Sequence, residues 1–295
     1  MAALTSAAAP DGRLRLAVPN KGRLCQPAVS LLREAGFTFE EDERRLFVPC
    51  ENFPLDLLFL RADDIGEYVQ DGVVDLGITG SNLLLEAGVD VTRIEPLGFG
   101  RCRLQLAAPR DSGITGAEDL RGRVVATSHP KVSSRFFLER GVEVRLIEIT
   151  GAVEVTPLLG VADAVVDLVA SGSTLATNGL VALDAILDSQ DELVRTRELR
   201  PARLHLAGQV TLMLTSVIRA RHRKYLMMNA PAEAVDRIKK VVPGMRSPSV
   251  IHLTDPGMVA IHTVVDADTV WQQLGPLQAA GASSILVLPI EKLIP

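Results

Sequence analysis

The chain has 295 residues, 47% apolar and 23% charged, which indicates a globular protein with a sizeable core and two or three domains. Its 31 Lys and Arg against 36 Asp and Glu give a net charge of −5, which excludes a nucleic-acid coat. Only 8 Phe, 2 Tyr and 1 Trp are present, too few for a base-stacking platform. Any polyanionic ligand must therefore be held locally, by backbone amides and a few placed cations.

The three cysteines, Cys25, Cys50 and Cys102, are odd in number and far apart. This spacing argues against a disulfide framework or a structural zinc site and predicts a reducing compartment. Residues 1–12 are Ala-rich without the features of a signal peptide, and we expect a disordered tail there. No apolar run reaches the roughly 18 residues of a membrane span. The sequence thus predicts a cytoplasmic protein.

Through the first two thirds, short β-branched runs alternate with segments of helical period, which predicts α/β layers with mostly parallel strands. The first unit is predicted to contain, in order, a strand at Leu14–Val18, a helix at about Cys25–Ala35, a hairpin at about Arg45–Val48 and Leu55–Leu60, a helix near Ile65–Gln70 and a strand at Val74–Ile78. The second has predicted strands at Val124–Thr127, Val144–Leu146 and Ala164–Leu168, with a helix before each of the last two.

The pattern changes from about Arg219. The predicted elements are a strand at Tyr225–Asn229, a helix beginning at Pro231, strands at Ser249–Leu253 and Val259–Val265, a helix with Val270, Leu274 and Leu277 on one face, and a strand at Ser284–Leu288. The order β-α-β-β-α-β is that of a ferredoxin-like module. Such modules often sense small ligands, but the order alone does not identify a function.

An internal repeat joins Asp71–Ser81 to Asp163–Ser173. Both segments run from an acidic residue through two valines and Asp-Leu to a Thr/Ser-Gly-Ser turn, and the alignment matches Asp75 with Asp167. Two strand–turn–helix units predict two similar lobes that face one cleft. The alternative is that strands ending in a glycine turn are simply common in α/β proteins.

The strongest local signal is the strand end Ser171-Gly-Ser-Thr174, which leads into a predicted helix. Glycine permits the tight turn, and the backbone N–H groups and hydroxyls that follow can hold a phosphate without bulk positive charge. Asp167, just upstream, is placed to bind sugar hydroxyls or a magnesium ion. The alternative is an ordinary turn capped by Ser and Thr.

Two further turns combine glycine with cations. The turn Pro19-Asn-Lys-Gly-Arg-Leu24 follows the first strand, where open α/β sheets bind ligands, and its cations can neutralise phosphates. The alternative is a solvated basic turn. In the second turn, Gly98–Leu104, no Cys/His signature surrounds Cys102, so a packed or ligand-lining cysteine is favoured over a nucleophile.

For two isolated polar residues, the sequence allows either a role in ligand binding or a purely structural role. His129 can donate a hydrogen bond to a phosphate, but it equally suits the start of a helix. Glu154 is predicted to open a helix, where a carboxylate suits the positive end of the dipole. The sequence contains no H-x-x-x-H, G-x-S-x-G or Walker A pattern, which argues against metallohydrolases, serine hydrolases and P-loop NTPases.

Together these motifs resemble the signature of the ATP phosphoribosyltransferase family, which performs the first step of histidine biosynthesis. The matching pattern is Glu154-x5-Gly-x-Ala-x2-Val-x-Asp-Leu-x2-Ser-Gly-x-Thr-Leu175, and the turns at 19–24, 75–80 and 127–130 match as well. The segments Tyr225–Met228 and Gly281–Pro289 resemble the regulatory domain of the family's long form. The resemblance covers essentially everything after the tail.

The resemblance implies an α/β fold with a two-lobed catalytic unit like a type II periplasmic binding protein. It also implies a C-terminal ferredoxin-like (ACT-like) βαββαβ regulatory domain that binds histidine as feedback inhibitor. The expected boundaries are lobe I at 13–108 plus 187–217, lobe II at 109–186 and the regulatory domain at 218–295. The implied reaction joins N1 of ATP to C1 of phosphoribosyl pyrophosphate with magnesium present, in a homo-oligomer between dimer and hexamer.

The resemblance also implies the site residues. The phosphoribosyl donor would be bound by Asp163, Asp167, Ala170, Ser171, Gly172, Ser173 and Thr174. The nucleotide would be bound by Lys21, Gly22, Arg23, Leu24, Asp75, Gly80 and Cys102. Arg23, Asp167 and Thr174 are expected to serve catalysis, Asp167 also as a magnesium ligand. Asn229, Ser249 and Ser284 are expected to bind histidine.

Two other functions fit parts of the pattern. A non-catalytic bilobal receptor for an anionic ligand would also have two similar loops. The missing export signal argues against a receptor, and so does the C-terminal sensor module, which a simple receptor does not need. A catalytically inactive regulatory subunit is disfavoured because the donor loop and Arg23 are both present.

Overall fold

The computed structural model describes residues 12–40, 45–170, 172–245 and 247–294. The predicted tail at 1–12 lies outside the described residues except for Gly12. The chain forms two compact units. The first comprises the chain up to Ser30 together with Thr38–Ala207, and the second comprises Leu31–Phe37 together with Gly208–Pro295.

The first unit contains two sheets flanked by helices. Its strands are β1 (Leu14–Pro19), β2 (Phe47–Pro49), β3 (Leu55–Leu60), β4 (Leu76–Gly80), β5 (Thr92–Pro96), β6 (Cys102–Pro109), β7 (Val124–Thr127), β8 (Arg145–Glu148), β9 (Ala164–Val169), β10 (Leu180–Ser189) and β11 (Asp191–Arg195). Its helices are α1 (Cys25–Glu34, ending in the second unit), α2 (Ala62–Gln70), α3 (Ser81–Ala87), α4 (Pro130–Glu139), α5 (Ser173–Thr177) and the start of α6 (Pro201–Arg221).

The first sheet has the strand order β2-β3-β1-β4-β11-β5. Strands β3, β1 and β4 are parallel, whereas β11 runs antiparallel to β4 and β5. Helix α2 buries Ile65 and Val69 against this sheet. A Cβ at Gly77 would lie 2.7 Å from Ile65 Cγ2, so β4 needs glycine there for the helix to pack this closely.

The second sheet repeats this arrangement, with the order β10-β6-β9-β7-β8. Strands β8, β7 and β9 are parallel, and β6 lies antiparallel between β9 and β10. The two-lobed α/β unit is therefore confirmed. The chain passes from the first sheet to the second at 97–101 and returns at 189–191, several residues from the expected boundaries at 108/109 and 186/187.

An aspartate makes the same contact in both sheets, one residue before a parallel strand. Asp75 precedes β4, and its Oδ2 accepts a hydrogen bond from the backbone N–H of Arg15 in β1 at 2.8 Å. Asp163 precedes β9, and its Oδ2 accepts from the backbone N–H of Val124 in β7, also at 2.8 Å. Asp75 thus corresponds structurally to Asp163 and not to Asp167. The repeat is real, but the sequence alignment of it was wrong by four residues, the separation of Asp163 and Asp167.

The second unit has the predicted ferredoxin-like order. Its elements after α6 are β12 (Arg223–Pro231), α7 (Val235–Val241), β13 (Ser249–His252), β14 (Met258–Asp266), α8 (Val270–Ala279) and β15 (Ser283–Pro289). The antiparallel sheet has the order β13-β14-β12-β15. One face packs on the helices through alternating residues such as Leu226, Met228 and Ile261, and the C-terminal βαββαβ fold is confirmed.

Two local predictions were wrong. The helix expected before Ala164 is a single 3-10 turn at Val153–Val155, so Glu154 does not open an α-helix. Pro231 ends β12 and precedes a 3-10 turn at Ala232–Ala234 instead of beginning the helix. Proline fixes φ at a value that both an extended strand end and a helix start accept, so the sequence alone did not separate them.

We expect Asp75→Ala to lower the free energy of unfolding by about 2–4 kcal/mol. The Asp75 carboxylate is buried and also pairs with Arg203 Nη1 at 3.0 Å, so its loss leaves a half-buried cation and a backbone N–H without their acceptor. Asp163→Ala serves as the matched control. Its partner Arg123 is 3.9 Å away and 44% exposed, so about 1 kcal/mol is expected. Urea unfolding measures both, and equal losses would contradict the assignment.

Candidate functional site

The parallel strands of both sheets end at the same region of the first unit. Strand β1 leads into the turn that carries Lys21 and Arg23, β4 ends at Gly80, and β9 leads into the loop before α5. The carboxyl ends of parallel strands are where open α/β sheets bind ligands. The predicted turns therefore lie where the fold favours a site.

A cavity of about 270 Å³ lies at the end of β9. Its lining residues are Arg23, Glu154, Asp167, Leu168, Val169, Ala170, Gly172, Thr174 and Leu175. All of them except Arg23 belong to the second sheet's lobe, so Arg23 is the contribution of the first lobe to this cavity. The structure brings together Arg23, Asp167, Ala170, Gly172 and Thr174 as the sequence predicts.

The loop at this cavity turns at Gly172, whose φ of +78° is in the left-handed region. Ser173 and Thr174 begin α5 and are exposed at its N-terminal end. Because α5 has only five residues, local N–H groups and hydroxyls, more than a helix dipole, would act on an anion here. Ser171 lies outside the described residues.

Asp167 is the acidic group of the cavity. Its Oδ1 accepts a hydrogen bond from the backbone N–H of Leu168 at 2.7 Å. Partial burial raises the pKa of Asp167, and the neighbouring Glu154 carboxylate raises it further against the lowering effect of that hydrogen bond. Two carboxylates thus share one small cavity, although no group of three or more His, Cys, Asp or Glu is arranged as a metal site within the described residues.

Arg23 also contacts Cys102, at the start of β6. Its Nη2 donates a hydrogen bond to Cys102 Sγ at 2.9 Å. Cys102 is 8% exposed and lines a second cavity, of about 410 Å³, with Ser81, Arg101 and Gln190. The thiol is therefore a packed wall residue, as predicted, and Arg23 lies between it and the cavity at β9.

The other residues predicted for the nucleotide differ in their accessibility. Lys21 and Gly22 are exposed in the turn after β1, whereas the Leu24 side chain is only 8% exposed. At Gly80 a Cβ would lie 2.5 Å from Asn82 Oδ1, so glycine is required where β4 meets α3.

Asp75 and Asp163 are not brought to the site. Both stand before the first residue of their strand, at the opposite edge from the ligand end, with the backbone and side-chain partners described above. Their carboxylates are used to join neighbouring strands. Their assignment to the nucleotide and to the donor stays a prediction, which these contacts do not support.

A buried hydrogen-bond network, which the sequence did not reveal, links the two lobes. Asn82 Oδ1 accepts from Ser189 Oγ at 2.8 Å, so the Asn82 amide nitrogen faces His129 Nε2, also at 2.8 Å. His129 Nδ1 lies 2.9 Å from Ser128 Oγ. His129 Nε2 must therefore accept, which requires the neutral imidazole. Burial accordingly lowers the pKa of His129, against smaller opposing effects of Glu86 and Asp63.

The residues expected to bind histidine lie in the second unit. Asn229 and Ser249 are on the sheet face that does not pack on the helices, but β14 separates their strands. At about 4.8 Å per strand, their backbones are roughly 10 Å apart. Ser284 has a φ of +49° beside an irregularity in the pairing of β12 with β15. Asn229 and Ser284 are thus near neighbours, and Ser249 is not adjacent to them.

No helix within the described residues is both long and apolar enough to cross a membrane.

Comparison with known proteins gives a consistent result. A family model described as ATP phosphoribosyltransferase matches residues 61–216, and one described as the C-terminal domain of that family matches 220–292. An ATP phosphoribosyltransferase of Methanothermobacter thermautotrophicus is 41% identical over 286 residues, 96% of this chain and 100% of that protein. One of Phocaeicola vulgatus is 41% identical over 281 residues, 95% of this chain and 99% of that protein.

A solved structure also matches this chain. It is the ATP phosphoribosyl transferase (HisG:HisZ) complex from Thermotoga maritima, with a TM-score of 0.63 and 28% identity. The match covers 70% of this chain and 98% of that chain.

We expect His129→Ala to destabilise the protein by about 2–3 kcal/mol near pH 7.5 and by less near pH 5.5. As the pH falls below 6.5 the unfolded chain binds a proton at His129 that the folded chain does not, so the wild type loses this part of its stability. Urea unfolding at the two pH values measures the difference. His205→Ala, at an exposed position in α6, is the control, and a pH-independent effect of His129→Ala would contradict the network.

Proposed function

The chain belongs to the ATP phosphoribosyltransferase family, and on that premise we propose that it transfers the phosphoribosyl group of phosphoribosyl pyrophosphate to N1 of ATP. Pyrophosphate is released, and the step commits the substrates to L-histidine synthesis. The observation that supports this best is the cavity in which Arg23 from one lobe faces the donor loop of the other.

The donor's 5-phosphate fits the exposed N–H groups and hydroxyls of Gly172, Ser173 and Thr174. These groups hold an anion by hydrogen bonds without added positive charge, as an acidic chain requires. Asp167, which lies on β9 before this loop, accepts hydrogen bonds from the ribose hydroxyls. The nucleotide takes the adjoining wall at Cys102 and its cavity of about 410 Å³.

The reaction breaks the bond between C1 and the pyrophosphate oxygen as N1 of the purine approaches C1. The electron pair leaves on pyrophosphate, and the ribose passes through an oxocarbenium-like state. Arg23 stabilises the charge that grows on the leaving group, since it lines the donor cavity. Thr174 and Asp167 fix the donor's position, and positioning with electrostatic stabilisation needs no separate general acid or base.

Magnesium fits the oxygen ligands of this cavity. Mg²⁺ is usually held by one or two carboxylates together with substrate phosphates, and Asp167 and Glu154 line the cavity at which the pyrophosphate is expected. When bound, the ion neutralises phosphate charge. These two side chains would hold it.

Regulation and assembly belong to the second unit. The sheet face away from the helices carries the apolar residues Ile251, Leu286 and Leu288, of which Leu286 is 55% exposed. Apolar exposure of this kind suits association of copies, and we place the homo-oligomer contacts, dimer to hexamer, and the histidine effector on this domain. The protein is proposed to work in the cytoplasm.

Turnover is expected to fall more than about tenfold in Thr174→Ala and in Asp167→Asn, because each loses a hydrogen bond to the donor. Pyrophosphate release with both substrates present measures it. Thr177→Ala, in the same short helix but bonded to Ser173 O, is the matched control. If both variants stay near wild type, the donor loop is assigned wrongly.

The same assay decides between the enzyme and a receptor. An anion receptor would bind one substrate in calorimetry and release no pyrophosphate from the pair. Release that requires both substrates supports transfer.

We expect Asn229→Ala to raise the histidine concentration for half-maximal inhibition by about tenfold, since a buried effector amine loses a charge-assisted hydrogen bond. Inhibition is measured relative to each variant's own uninhibited rate. Lys224→Gln, at the far end of β12, is the control. Unchanged inhibition in Asn229→Ala places the effector elsewhere.

A further inference from the structure

Asp191 is a fully buried acid at the return crossover between the two sheets. It has no solvent exposure, and neither carboxylate oxygen has a hydrogen-bond partner within the described chain. Its backbone is fixed on both sides, because its N–H donates to Phe99 O at 3.0 Å and its carbonyl accepts from the Leu97 N–H at 2.8 Å. The backbone at Asp191 is thus held on both sides, while its carboxyl group has no hydrogen-bond partner within the described chain.

The surroundings make room for this carboxyl. A Cβ on Gly100, whose φ is +65°, would lie 2.8 Å from Asp191 Cγ. On the neighbouring strand, a Cβ on Gly80 would lie 3.8 Å from Asp191 Oδ1. A buried carboxylate without partners destabilises a fold. Its presence beside Gly100, which leaves room for it, therefore indicates a role other than folding.

Arg23 is the cation near this group, because the Asp191 carboxyl lies against Gly100 and Arg23 donates a hydrogen bond to Cys102, two residues further along the chain. The neighbouring elements also carry Arg101, Cys102 and Glu192. Burial raises the pKa of Asp191 to about 7, and the one charge that opposes this shift is the Arg23 guanidinium. The interaction is reciprocal, so an ionised Asp191 attracts Arg23.

Without such an attraction, little would hold the Arg23 side chain in one position. It stands in an exposed turn, and its hydrogen bond to Cys102 uses a thiol, which is a weak acceptor. Yet it is the first lobe's contribution to the donor cavity. A long exposed side chain loses rotamer entropy when it is held in one position.

We propose that Asp191 is a positioning residue for Arg23: its buried carboxylate supplies the counter-charge that keeps the guanidinium between Cys102 and the donor cavity. This inference rests on the proposed function for its kinetic test. A carboxylate that attracts without a hydrogen bond leaves the guanidinium N–H groups free for a phosphate. A direct bidentate pair would occupy them.

A double-mutant cycle tests the proposal in the full-length protein. Asp191→Asn is expected to lower kcat/KM for phosphoribosyl pyrophosphate by about tenfold in the wild-type background and to change it little in Arg23→Gln. In the wild type, kcat/KM should rise with pH through about 7 as the carboxylate forms, and Asp191→Asn should lack that rise. Asp188→Asn, which removes only the surface pair with Arg103, is the control.

A second measurement does not depend on activity. The folded chain keeps a proton on Asp191 up to about pH 7, whereas the unfolded chain loses it near 3.8, so stability falls as pH rises across this window. Asp191→Asn should lack this fall. Arg23→Gln should extend it to higher pH, because the ionised carboxylate loses its attraction.

Several results would overturn the proposal. Equal losses of kcat/KM from Asp191→Asn with and without Arg23 would show that the residue acts by another route. A changed magnesium concentration for half-maximal activity would assign it to the metal, and an unfolding curve unaffected by Arg23→Gln would exclude the coupling. If the wild type forms no product, the proposed function fails, and the unfolding measurement still decides the coupling.

Discussion

The two crossings of the chain between its sheets constrain everything else in the catalytic unit. At 97–101 and 189–191 the strands are joined by backbone hydrogen bonds, from the N–H of Leu97 to Asp191 O and from the N–H of Ser81 to Gln190 O. Because both crossings lie at the ligand ends of the parallel strands, the residues on them meet the turns after β1, β4 and β9. The two connections between the sheets thus bring Cys102, Ser189 and Asp191 to the site.

On the proposed function, this topology would let an acidic chain bind two polyanions. The net charge of −5 offers no general attraction to phosphate, so each contact must be made by a group placed at a strand end. Arg23 reaches from one lobe to the cavity at the end of β9 in the other, and the loop at Gly172 lines the same cavity. These groups converge in a cavity of about 270 Å³, where water screens charges less than in bulk solvent, so a few of them would suffice.

Local patterns predicted what depends on local chemistry. The strands at Leu14, Leu55, Val124 and Ala164 and the turn at Gly172 follow from β-branched runs and from glycine's access to positive φ. Contacts between distant segments were beyond the sequence. The sequence alignment matched Asp75 to Asp167 because each is followed by a leucine. The role of Asp75 depends instead on its contacts with Arg15 and Arg203, which lie far from it in the sequence. The network of Asn82, His129 and Ser189 likewise joins residues with no shared motif.

Aspartate performs opposite tasks at the two ends of these sheets. At the starting edge, Asp75 and Asp163 each accept a hydrogen bond from a backbone N–H group of the neighbouring strand, and Asp75 also pairs with Arg203, which stabilises the strand pairing. At the ligand edge, Asp191 and the side-chain oxygen of Asn20 are buried without a hydrogen-bond partner within the described chain. Unsatisfied buried polar groups oppose folding, so a sequence selected for stability alone would remove them. Both groups lie at the edge that carries Arg23, which on the proposed function is the edge that binds substrates, whereas Asp75 and Asp163 at the other edge stabilise the fold.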